Sequence, residues 1–113
     1  MNLQEYGDQA ITTLLGTHQF GDISPKLVAQ ILGLVGESGE VAEKVKKIVR
    51  DKKGVISNED RVELLKELGD ILWYVNAVAH LLDSSIDEVA RKNLEKVLSR
   101  KSRGVTQGSG DNR

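Results

Sequence analysis

The strongest constraint on the fold is a pair of long segments with apolar side chains at helical spacing, separated by a few turn-forming residues. In the first, Leu27, Ile31, Leu34, Val41, Val45 and Ile48 share one arc of a helical wheel drawn at about 100° per residue. In the second, the arc is Leu64, Leu68, Ile71, Val75, Val78 and Leu82, and Gly54 with Ser57-Asn58 lies between the two. Ser24-Pro25 opens the first helix, with serine as N-cap and proline at the first helical position, where its missing N–H costs nothing. Ser57 or Asn58 opens the second, with Glu59 and Asp60 in the first turn. Strand signals are missing: there is no period-two alternation, and no Asn-Gly or Asp-Gly turn between apolar runs. The chain reads as all-α.

Two shorter helices complete the pattern. Tyr6, Ala10, Ile11, Leu14 and Leu15 predict a first helix from residue 2 to about residue 15, with Gly16 as its stop. Ser84 or Ser85 starts a last helix over Ile86 to about Arg100, with Ile86, Val89, Ala90 and Val97 on its apolar face and Asn93 in the middle of it. The predicted architecture is a four-helix bundle-like domain over residues 1–103, followed by a polar, glycine-rich, flexible tail at 104–113. At 113 residues this is one domain, near the size at which association commonly adds burial. A net charge of −1 argues against nucleic acid as a partner, and no apolar run is long enough to cross a membrane. The first ten residues lack a secretory signal, so the expected location is cytoplasmic.

Chemistry concentrates in two related stretches, GLVGESGEVAEKVKK from Gly33 to Lys47 and LLKELGDILWYV from Leu64 to Val75. Each places two carboxylates one helical turn apart on one face: Glu37 with Glu40, and Glu67 with Asp70. Glu67 projects within about 20° of Tyr74 and Val78, inside the apolar face of its own helix. A carboxylate there must be paired, neutralised or bound to a metal, because burying it alone costs several kcal/mol. With no cysteine and only two histidines, hard oxygen ligands point to Mg²⁺ or Mn²⁺. Lys44, Asn93, Lys96 and Arg100 supply the groups that would hold phosphate oxygens of a metal-bound polyphosphate. The bland alternative is that these acids are merely solvated or paired with lysine, as on many Glu/Lys-rich helices. Gly33, Gly36 and Gly39 each cost about 0.5–1 kcal/mol in a helix, which implies either a close helix–helix approach or room for a ligand.

Glu37-Ser-Gly-Glu40 followed by Glu67-Leu-Gly-Asp70, with Asn93-Leu-Glu-Lys96 and Arg100 on the next helix, resembles the MazG-like family of all-α nucleoside triphosphate pyrophosphohydrolases. The closing GSGDNR is similar to tails of short members. The resemblance implies hydrolysis between the α- and β-phosphates, with catalytic Glu37, Glu40, Glu67 and Asp70 holding Mg²⁺ (Mn²⁺ as a substitute). It implies substrate contacts from Lys44, Asn93, Lys96 and Arg100, and a homodimer or homotetramer with the site near a subunit interface. Tyr6, Gln9, Thr13, His18, Gln30 and Trp73 are candidates for base or sugar contacts, and Trp73, almost opposite its helix's apolar arc, is expected to be buried by another helix or subunit. Two alternatives stand beside this reading: a non-catalytic nucleotide- or metal-binding regulatory module, and a narrower dUTPase- or dCTPase-type enzyme. A di-iron bundle is disfavoured because no Glu-x-x-His motif occurs.

Overall fold

The computed structural model describes residues 1–16 and 18–113; Thr17 lies outside the described residues. Four helices are present, α1 (Leu3–Ile11), α2 (Pro25–Lys52), α3 (Asn58–Leu81) and α4 (Ile86–Arg103), and among the described residues there is no strand. None of the helices is long and apolar enough to cross a membrane.

The helix ends follow local chemistry closely. Ser24 Oγ accepts from Leu27 N–H at 3.0 Å, which starts α2. Lys53 and Gly54 then enter the left-handed region, and Gly54 N–H reaches back to Ile48 O at 3.1 Å to close it. Ser57 caps α3 in a reciprocal box with Asp60: the Asp60 N–H donates to Ser57 Oγ, and the Ser57 N–H donates to Asp60 Oδ2. That box and the Lys52 ammonium hold the Asp60 carboxyl down at about 2. Ser85 starts α4, and Gly104 ends it in the left-handed region. The first helix stops four residues short of the predicted end. Thr12 and Thr13 hydroxyls donate to the carbonyls of Gln9 and Ala10, competing with continuation of the helix.

Helices α2 and α3 form an antiparallel hairpin whose seam runs through three matched contacts. Tyr74 lies over Gly33, Lys44 pairs with Glu67 at 3.5 Å, and Lys52 pairs with Asp60 at 2.9 Å. A methyl group built on Gly33 would overlap the Tyr74 ring, whereas Gly36 and Gly39 face open space. Gly33 is therefore the close-approach glycine of the three.

The expected four-helix bundle does not close within one chain. Helix α4 packs on α3 alone, and α1 packs on no other helix. Among the described residues only Leu27, Ile48 and Ala79 are buried apolar residues; Ile31, Val45, Leu68 and Leu82, predicted to lie on inward arcs, are exposed. The radius of gyration is 20.0 Å, against about 13 Å for a compact domain of this length. The accessible surface is 9378 Å², whereas a compact monomer of 12.4 kDa exposes about 6,100 Å². Trp73 is 60% exposed, so no helix of its own chain covers it.

Candidate metal centre

The middle of the α2–α3 seam gathers charge. Glu37 comes from α2, and Glu67 and Asp70 come from α3; one carboxylate oxygen of each lies within 4.8 Å of the others. Glu37 and Glu67 are half-buried and Asp70 is exposed. The antiparallel pairing explains the meeting: with Tyr74 seated on Gly33 and Lys44 beside Glu67, Glu37 falls between those two contacts and opposite Asp70. The Lys44 ammonium is the basic partner within 4 Å of Glu67.

One cation against three acids leaves the cluster under-neutralised. The Glu37 carboxyl is consequently raised above the usual carboxylate range, first by hydrogen bonding with the Glu67 side chain. Burial and the negative charges of Asp70, Glu67 and Glu40 add to the rise. Such a set of hard oxygen donors, close enough to share one ion and short of positive charge, fits a divalent cation. An ion there would cancel the repulsion.

Glu40 does not join the three. It sits one turn further along α2, exposed, and acts on Glu37 through its charge. At about 100° per residue it points some 60° away from Glu37, whereas Lys44 points within about 20° of it, so lysine rather than the second glutamate reaches the seam.

Beside the cluster is an open cleft of about 390 Å³ lined by Glu37, Asp70, Trp73 and Tyr74. The two rings meet edge to face, with centroids 5.0 Å apart and planes at 85°. Tyr74 was not among the predicted site residues. The signal was present in its wheel position beside Glu67 and its i+4 spacing from Asp70.

The other predicted residues are not brought to this cleft within one chain. Asn93 is exposed on α4, and Lys96 and Arg100 engage Asp111 instead of the carboxylates. Tyr6 and Gln9 are exposed on the detached α1. His18 borders a separate open hollow with Ala10, Thr13 and Leu14. Gln30 is half-buried on α2, two turns N-terminal to Glu37.

The segment after α4, expected to be flexible, is placed as a compact loop. The Arg113 guanidinium donates to the carbonyls of Val105, Thr106 and Gly110, and Arg103 donates to the carbonyl of Arg113.

An all-helical chain whose two central helices converge three carboxylates on one point belongs, by fold and site, among proteins able to hold a metal between helices. The chain belongs to the MazG family: the model of the MazG nucleotide pyrophosphohydrolase domain matches residues 27–105. It is similar to the Gene 37 protein of Mycobacterium phage L5, with 60% identity over 82 residues, covering 73% of this chain and 72% of that protein. No solved structure matches. The matched span holds all four predicted acids together with Lys44, Asn93, Lys96 and Arg100, and membership supports hydrolase activity on nucleotides in general.

Proposed function

We propose that the chain is an Mg²⁺-dependent nucleoside triphosphate pyrophosphohydrolase, cleaving between the α- and β-phosphates to give a nucleoside monophosphate and pyrophosphate. Clearing unwanted nucleotides from the cytoplasmic pool is the role that fits such a reaction. The observation that carries the reading is the convergence of Glu37, Glu67 and Asp70 beside a cleft walled by two aromatic rings.

Glu37, Glu67 and Asp70 would hold Mg²⁺, with Mn²⁺ able to replace it, and Glu40 would extend the negative field from the next turn. The bound ion would supply charge neutralisation for the polyphosphate and acidify a water. Lys44 keeps Glu67 oriented toward the seam at 3.5 Å. One carboxylate of the set could take the proton of an attacking water. Trp73 and Tyr74 offer apolar faces for a base or sugar next to the carboxylates.

The same reading takes the working unit to be a homodimer or homotetramer. Its support is the surface one chain leaves uncovered, some 3,000 Å² beyond that of a compact monomer of this mass. A second copy would cover the apolar faces, supply a seat for α1 and Trp73, and bring the Asn93, Lys96 and Arg100 face of α4 toward a carboxylate cluster.

The test is a panel of ribo- and deoxyribonucleoside triphosphates incubated with Mg²⁺, with monophosphate and pyrophosphate quantified, alongside Glu37→Gln and Asp70→Asn. The expected outcome is pyrophosphate release that both substitutions abolish. Full activity in both would refute the site. Release restricted to dUTP or dCTP would select the narrower enzyme, and tight binding without product would select a regulatory module.

A further inference from the structure

Among the described residues, Arg100 is the buried charged one, 7% exposed. Its Nη2 donates to the carbonyl of Asp111, with Gly110 O and Asp111 Oδ1 each at 3.4 Å. Its Nε is buried and donates to no acceptor among the described residues. One turn earlier on the same face, Lys96 Nζ lies 3.1 Å from the same Asp111 Oδ1. Arg100, in the last turn of α4 where the helix dipole favours positive charge, and Lys96 one turn before it thus converge on one carboxylate oxygen. The carboxylate itself is 80% exposed and sits on a loop pinned mainly by Arg113.

We propose that residues 104–113 are a strap in which Asp111 holds the place of a phosphate oxygen at Lys96 and Arg100, so that the strap and a phosphate-bearing ligand compete for this basic pair. The assignment of Lys96 and Arg100 to phosphate rests on the functional reading above; the competition is added by the structure. The chemistry favours displacement. A diphosphate brings several charged oxygens where Asp111 brings one shared oxygen, and the unpartnered Arg100 Nε is a donor the strap leaves unused. The Lys96–Asp111 pair is exposed on both sides, and an ion pair of that kind shifts an equilibrium by about two- to fivefold.

Calorimetric titration of the full chain with inorganic pyrophosphate tests this, in EDTA so that no divalent ion recruits the ligand to the carboxylate cluster. Asp111→Asn is expected to bind about two- to fivefold more tightly. Arg113→Ala is expected to bind more tightly as well, although it removes a positive charge and would weaken binding if net charge alone mattered. Glu95→Gln, which removes an acid from the same helix without touching Lys96, serves as the charge control and should leave affinity unchanged. Hydrogen exchange of residues 105–112 in the wild type should accelerate when pyrophosphate binds. Weaker or unchanged binding in either strap variant, or a strap that stays protected under saturating pyrophosphate, would overturn the proposal. A protein that shows the competition yet hydrolyses no triphosphate would fail the functional reading while leaving the strap in place.

Discussion

Gly33→Ala isolates the contact that brings α2 and α3 together above the carboxylates. Alanine in place of glycine in a helix interior is worth about 1 kcal/mol of stability. At Gly33 that gain meets the Tyr74 ring, where the added methyl would overlap side-chain carbons, and overpacking of this sort costs about 1–3 kcal/mol. The net is a loss of about 0–2 kcal/mol. At Gly36 and Gly39 the methyl meets nothing, so the full gain of about 1 kcal/mol is expected. For a domain of this length 1 kcal/mol is about 4 °C in Tm, so Gly33→Ala should melt about 4–12 °C below Gly36→Ala. Thermal unfolding at one fixed protein concentration measures this, since association would make Tm concentration-dependent. A double-mutant cycle sharpens it: in a Tyr74→Ala background the Gly33→Ala penalty should vanish and the helix-propensity gain reappear. Equal shifts for Gly33→Ala and Gly36→Ala would rule out a close Gly33–Tyr74 contact.

Other consequences are directly measurable. Lys44→Met removes the basic partner of Glu67, so the metal-free protein should lose thermal stability and recover more of it on adding Mg²⁺ than the wild type does. Because the Glu37 carboxyl is raised, its contribution to metal-free stability is present at low pH and lost as pH rises through the raised value; cation affinity should climb over the same interval, as calorimetry across pH would record. Asp60 behaves oppositely: held down at about 2, it stabilises above the ordinary aspartate range and loses that contribution as pH falls toward about 2. The urea midpoints of wild type and Asp60→Ala should therefore differ at pH 7 and converge in acid. Ser57→Ala should cost about 0.5–2 kcal/mol through the same cap.

What could be read from the sequence was whatever depends on a single helix. The caps expected at Ser24, at Ser57 or Asn58 and at Ser84 or Ser85, and the break at Gly54, are local chemistry, and the limits of α2 and α3 followed from them; Gly104 was not singled out, and α4 runs to Arg103 rather than to about Arg100. The position of Glu67 on an apolar face likewise required a partner, and Glu37, Asp70 and Lys44 are the partners it meets. Glu40 was grouped with them because spacing alone does not say which of two residues 60° apart faces the neighbouring helix. The bundle was overestimated for a related reason. A periodic pattern identifies an apolar face but not whose surface covers it, and here Ile31, Leu68 and Trp73 remain open within the chain. The strap was invisible because glycine-rich composition describes the backbone's freedom. The loop is held by arginine side chains reaching carbonyls that adjoin them only after the chain reverses.

Glu37, Glu67 and Asp70 are proposed to hold a divalent cation together. The most direct test is Mn²⁺ titration followed by electron paramagnetic resonance, comparing the wild type with Glu67→Gln. The account predicts saturable binding in the wild type, competed by Mg²⁺, and a loss of affinity of at least tenfold in Glu67→Gln. Equal Mn²⁺ binding by the two proteins would contradict it.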